Sequence, residues 1–94
     1  MFSMQVEPGG VVRLSGRLDA AEADRATADL AAIDGAVTLD CSRLEYVSSA
    51  GLSVMLITHK RLLANGHALR LVNLQPRVRN VITYAGLNRI LQIE

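Results

Sequence analysis

Apolar residues recur along this chain in two rhythms, every second position and every third or fourth, and the rhythm changes at glycine, proline and acidic punctuation. Met4 to Glu7 reads as a short strand, and Pro8-Gly9-Gly10 as a turn. Val11 to Ser15 is a second strand with Val12 and Leu14 on one face, so the two strands can pair as a hairpin. Asp19 is a good helix N-cap, and Glu22 three residues later completes a capping-box arrangement. The helix that follows is rich in alanine and puts Ala23, Ala26, Leu30 and Ile33 on its inner face, with Gly35 as its stop. Val37 to Asp40 is a third strand, followed by a short connection. A second helix is predicted from about Ser49 to Ala64, with Leu52, Met55, Leu56, Leu62 and Leu63 as its apolar stripe. Lys60 and Arg61 complement the negative end of its dipole, and Asn65-Gly66 stops it. Leu69 to Val72 is a fourth strand. Pro76 opens a third helix in which Val78, Val81, Ile82 and Ala85 recur at helical spacing until Gly86. Ile90 to Ile93 is a last short strand or an extended tail.

The resulting order is β-β-α-β-α-β-α-β. Strand–helix alternation predicts an α/β domain whose sheet is largely parallel after the opening hairpin. With 94 residues and no repeat or linker, the chain reads as one domain over 1–94. Half of the residues are hydrophobic but only 3% are aromatic, so the core must be aliphatic.

Charge and cysteine usage narrow the function classes. A net charge of +1 argues against a general nucleic-acid binder. Its distribution is uneven: residues 1–47 carry four basic and eight acidic side chains, and residues 48–94 carry six basic and one acidic. One cysteine, Cys41, excludes a disulfide framework within the chain and fits a reducing compartment. No apolar run approaches the ~20 residues of a membrane span, and no signal peptide is evident, so the expectation is a soluble, cytoplasmic protein.

Candidate chemistry concentrates where the second helix begins. Ser48 and Ser49 stand at its predicted start beside small Ala50 and Gly51. A hydroxyl there is a cap, and the same place accommodates a phosphate. As a hydrolytic nucleophile either serine lacks the Gly-x-Ser-x-Gly elbow. His59 is ten residues further along the helix, about 15 Å by its rise. His59, His67 and Cys41 share no metal-ligand spacing, and no phosphate-binding glycine loop is present. Neither an enzyme nor a cofactor or metal site is therefore expected. Arg77 and Arg79 open the third helix at the positive end of its dipole, a mild misplacement that suits a solvated face or an acidic partner.

Several segments, in the right order, carry a resemblance. Leu14-Ser15-Gly16-Arg17-Leu18-Asp19 has the form hydrophobic-x-Gly-x-Leu-Asp, and Leu39-Asp40-Cys41-Ser42-Arg43-Leu44 precedes Tyr46-Val47-Ser48-Ser49-Ala50-Gly51-Leu52. Asn73-Leu74-Gln75-Pro76 with Val78, and Ala85-Gly86-Leu87, follow. Together they resemble the anti-sigma factor antagonist family, a single STAS domain. The resemblance implies a small mixed sheet with helices packed mainly on one side. It implies a protein whose unphosphorylated form binds an anti-sigma factor with serine kinase activity, of the ATPase fold, and which a metal-dependent serine phosphatase restores. The implied phosphoacceptor is Ser49, two residues before the motif glycine, with Ser48 as the other candidate because many members carry Asp there. The implied docking patch comprises Asp19, Ser48, Ser49, Gly51 and Arg77. Many relatives carry one more helix beyond the position of Glu94, so contacts made by that helix are expected to be missing here or made otherwise. Other readings compatible with the residues are a docking subunit of a lipid-transport ABC complex, a sensory scaffold, or a module that senses an anion or nucleotide.

Overall fold

A computed structural model describes all residues, Met1 to Glu94. Five strands form one sheet in the order β1-β2-β3-β4-β5, and every strand stands beside its sequence neighbour. β1 (Phe2–Glu7) and β2 (Val11–Leu18) are antiparallel, as their short turn requires. β3 (Val37–Val47), β4 (Leu69–Val72) and β5 (Gln92–Ile93) then add in parallel. The crossovers are α1 (Ala20–Ala31), α2 (Ser49–Ala64) and α3 (Pro76–Tyr84), the last continuing into a 3-10 turn at Leu87–Arg89. The sheet grows in one direction and such crossovers are right-handed, so the helical layer lies on one face. The other face is left open.

The strands alternate accordingly. Val12, Leu14 and Leu18 of β2, Val37, Leu39 and Cys41 of β3, and Leu69 and Leu71 of β4 are buried beneath the helices. Arg13, Arg17 and Arg70 point to the open face. The helices contribute Ala26 and Leu30, then Leu52, Val54, Met55 and Leu62, then Val78 and Ile82, to a single core of 20 buried residues. No helix is long and apolar enough to cross a membrane.

The sheet extends beyond the sequence-based boundaries. β2 continues through Leu18 and β3 through Val47. The connection expected after Asp40 is instead strand, paired Gly16 to Leu44 and Leu18 to Val47. The alternation is hidden because the register shifts at two places, which leaves Ser42 and Arg43 exposed in succession. Gly16, with φ of 84°, lies against the carbonyl of Met1, where a Cβ would have no room.

Two further expectations change. The buried stripe of α2 runs through Gly51, Leu52, Val54, Met55, Thr58 and Leu62, so Leu52, Met55 and Leu62 lie inside as expected, whereas Leu63 is 57% exposed, because it lies a further 100° around the helix from Leu62. Glu22 does not reach back to Asp19 but pairs with Arg25 at 3.2 Å. Arg61 donates to the Leu30 carbonyl at 2.9 Å, so it caps the end of α1 as well as lying in the last turn of α2.

Candidate functional site: two helix starts at the ends of adjacent strands

β2 and β3 are parallel neighbours, and Leu18 pairs with Val47 at their carboxyl ends. The next residues, Asp19 and Ser48, each leave the strand and cap a helix. Two helix N-termini therefore emerge side by side. The crevice outside the carboxyl ends of strands is where open α/β sheets commonly present binding groups. The Ser48 N–H donates to the Leu18 carbonyl at 3.0 Å and ties one start to the other.

The two serines are not equivalent. Ser48 has extended backbone angles, φ −89° and ψ 177°, and its Oγ accepts the Gly51 N–H at 3.2 Å. Its carbonyl accepts the first intrahelical bond, from Leu52 N–H at 2.8 Å. Ser48 is thus the N-cap, half-buried and engaged. Ser49 is the first helical residue and is exposed. Its carbonyl accepts from Ser53 Oγ at 3.1 Å, but its own hydroxyl makes no hydrogen bond within the chain. At that position the free N–H groups and the dipole favour a negative charge.

Gly51 makes this geometry possible. A Cβ there would stand 2.5 Å from the Leu18 carbonyl oxygen and 2.6 Å from Val47 Cγ2. The first turn of α2 therefore lies directly on the ends of β2 and β3, and only glycine allows that approach. Asp19 caps α1 through Oδ1, which accepts the Ala21 N–H at 3.1 Å. Arg17, just before it, lies 4.1 Å from the centre of the Tyr46 ring on the open face, a cation–π contact that joins the same two strand ends.

Asp19, Ser48, Ser49 and Gly51 are thus brought together. Arg77 stands exposed at the second position of α3 and has no hydrogen bond or ion pair to the other four. The approach to α3 is tied to β3 elsewhere, by Gln75 Nε2 donating to the Ser42 carbonyl at 2.8 Å. Asn73, in the left-handed region at φ 59°, turns the chain there and donates to Asp40 Oδ1 at 3.3 Å. The Ser42 N–H also donates to that carboxylate, at 3.0 Å, and is the main cause holding the Asp40 pKa below its usual range.

Cys41 is fully buried, and burial pushes its thiol up to about 12, far from a reactive thiolate. No three His, Cys, Asp or Glu side chains cluster as metal ligands. The Arg17–Tyr46 contact was not foreseen from the sequence, although their places before Asp19 and Ser48 would have revealed it once β2 and β3 were aligned at their ends.

Comparisons with known proteins agree with this fold. The STAS domain model matches residues 2–94. The chain is 39% identical over 84 residues to BtrV of Bordetella bronchiseptica, named as an anti-sigma factor antagonist, covering 85% of this chain and 72% of that protein. An anti-sigma factor antagonist from Mycobacterium paratuberculosis has the same fold with a TM-score of 0.88 at 26% identity, covering 99% of this chain and 85% of that one. The phosphorylated form of the Bacillus cell fate determinant SpoIIAA shares the fold with a TM-score of 0.73 at 20% identity, over 100% of this chain and 91% of that one. The chain belongs to the STAS domain family, the anti-sigma factor antagonist family to which its sequence pointed.

Proposed function

We propose that this protein is a cytoplasmic partner-switching antagonist controlled by phosphorylation of Ser49. Its unphosphorylated form binds an anti-sigma factor with serine kinase activity, and that kinase phosphorylates Ser49. A serine phosphatase reverses the modification. The protein itself is substrate and ligand in this cycle, with no catalytic group of its own. The observation that carries the reading is the division of labour between the serines. Ser48 Oγ is committed to the Gly51 N–H, and Ser49 offers an exposed hydroxyl free of internal bonds.

The chemistry of the switch follows from that placement. A phosphate on Ser49 adds a charge of roughly −1.5 to −2 at neutral pH. At the first turn of α2 the helix dipole stabilises it, so the fold has no reason to respond. The partner does respond. A surface that fits a small hydroxyl beside Ala50 and Gly51 must now accommodate a bulky dianion next to the Asp19 carboxylate. Desolvation and like-charge repulsion weaken the complex. Gly51 keeps the serine-bearing turn fixed on the strand ends, so the backbone that carries the hydroxyl is held in one place.

Parallel capture from native lysate with Ser49→Ala and Ser49→Asp baits tests this. The alanine bait retains an ATPase-fold kinase and the aspartate bait releases it. Retention of the same kinase by both baits, or of a transporter ATPase in its place, refutes the switch.

A further inference from the structure

No acidic residue lies between Glu45 and Glu94, a stretch that carries Lys60, Arg61, Arg70, Arg77, Arg79 and Arg89. Folding engages part of this charge. Arg61 bonds the Leu30 carbonyl, and Arg70 forms a two-pronged pair with Glu94. The side chains of Arg77, Arg79 and Arg89 are exposed and enter no hydrogen bond or ion pair. They lie on α3 and the turn after it, on the flank of the sheet that ends in β5. Two of them occupy the first turn of α3, where the dipole disfavours positive charge.

The same flank exposes apolar and aromatic surface. Val78 and Ile82 turn into the core, which leaves Arg77, Asn80 and Tyr84 along an outward stripe at helical spacing. Tyr84 is 93% exposed in a chain with three aromatic residues, and Ile90 is 51% exposed. Asn80, Thr83 and Tyr84 form a shallow, open surface there. Arginine and tyrosine are enriched at protein–protein contact centres.

We infer that this α3 flank docks an acidic segment of a partner protein, one that also carries an apolar side chain to meet the exposed Tyr84 and Ile90. Charge complementarity sets the partner's sign. A nucleic acid fits less well, because three arginines on a chain of net charge +1 neutralise few phosphates. The surface lies outside the Ser49 turn, so the inference goes beyond the phosphorylation switch and gives the protein a second point of contact.

The test is an NMR titration of the isotope-labelled chain with a synthetic oligoglutamate peptide carrying a single leucine. Parallel titrations use a single-stranded oligonucleotide and anionic phospholipid vesicles. The peptide shifts amides over residues 76–90, and added salt weakens it. Arg77→Glu with Arg79→Glu weakens it roughly tenfold. That variant places acids at a helix start, where they favour folding, and Tyr84→Ser at an exposed position serves as a second, independent lesion. Ser49→Asp leaves the peptide titration unchanged, which separates this surface from the switch. The inference is overturned by no binding, by shifts that follow every arginine including Arg13 and Arg70, or by tighter binding to the oligonucleotide or vesicles. Concentration-dependent shifts on α1 without peptide overturn it too, because the occupant is then a second copy of the chain.

Discussion

Replacing Gly51 by alanine perturbs the site by a single methyl group, and its consequences can be worked from the structure. The added Cβ falls 2.5 Å from the Leu18 carbonyl oxygen, 2.6 Å from Val47 Cγ2 and 3.0 Å from Leu18 Cγ. An ordinary carbon–oxygen contact is about 3.3 Å or longer, so the first turn of α2 must move by about 0.8 Å. The oxygen cannot simply retreat, because it accepts the Ser48 N–H at 3.0 Å. Overpacking of this kind costs roughly 1 to 3 kcal/mol, and a weakened hydrogen bond adds about 0.5 to 1.5 kcal/mol. Alanine returns at most about 1 kcal/mol of helix propensity. The net is a destabilisation of about 0.5 to 3.5 kcal/mol, or a fall in Tm of roughly 2 to 28 °C for a domain of this size. Thermal melts followed by circular dichroism measure it, with Ser53→Ala on the exposed face of α2 as a near-neutral control. Amide shifts should concentrate at Leu18, Val47 and Ser48. An unchanged or raised Tm, with no shift at Leu18, refutes the close approach on which the site geometry rests.

Other outcomes follow from the same contacts. Ser48→Ala removes the N-cap and lowers stability by roughly 0.5 to 2 kcal/mol, whereas Ser49→Ala leaves the melt unchanged; equal effects would mean the capping assignment is wrong. Ser49→Asp keeps wild-type helix content and melts no lower, because the helix start favours the charge by about 0.3 to 1 kcal/mol. A loss of helix signal in that variant counts against the dipole argument. Asp40 governs part of the acid limb. Its folded pKa is lowered, chiefly by the Ser42 N–H and also by Asn73, so its contribution is present above the unfolded value near 4 and is lost as pH falls through the folded value. Asp40→Asn retains an oxygen for Ser42 but no titration, so its stability should vary less below about pH 4 than that of the wild type. Parallel acid limbs in the two proteins would contradict this.

The parts of the fold legible in the sequence are those whose local signals agree with their tertiary setting. α2 runs from Ser49 to Ala64 and β4 from Leu69 to Val72, as expected, because a cap, a periodic run and a glycine stop coincide in the first and a short alternation between turns in the second. β3 was truncated at Asp40 because its alternation breaks where the register shifts, a property of the pairing with β2 rather than of the strand itself. The true inner stripe of α2 includes Val54 and Thr58, since the helix meets both the sheet and α1, and a wide apolar surface blurs the periodicity. The helix starts at Asp19 and Ser48 were legible as caps. Their adjacency was not, because it depends on Leu18 pairing with Val47. Which serine caps α2 was open in the sequence, and the hydrogen bond from the Gly51 N–H to Ser48 Oγ assigns the cap to Ser48.

In the proposed switch, position would let one hydroxyl control binding without a conformational change. The turn that carries Ser49 is held from below by Gly51 against Leu18 and Val47 and from the side by the Ser48–Leu18 bond. Charge added to such a turn stays where it is placed and acts on whatever docks there.

The most direct measurement is site mapping by tandem mass spectrometry after the protein has been incubated with ATP and the kinase it captures. Phosphate confined to Ser49, with Ser49→Ala unmodified under the same conditions, is the predicted result. Phosphate on Ser48, or incorporation that persists in Ser49→Ala, would contradict the account.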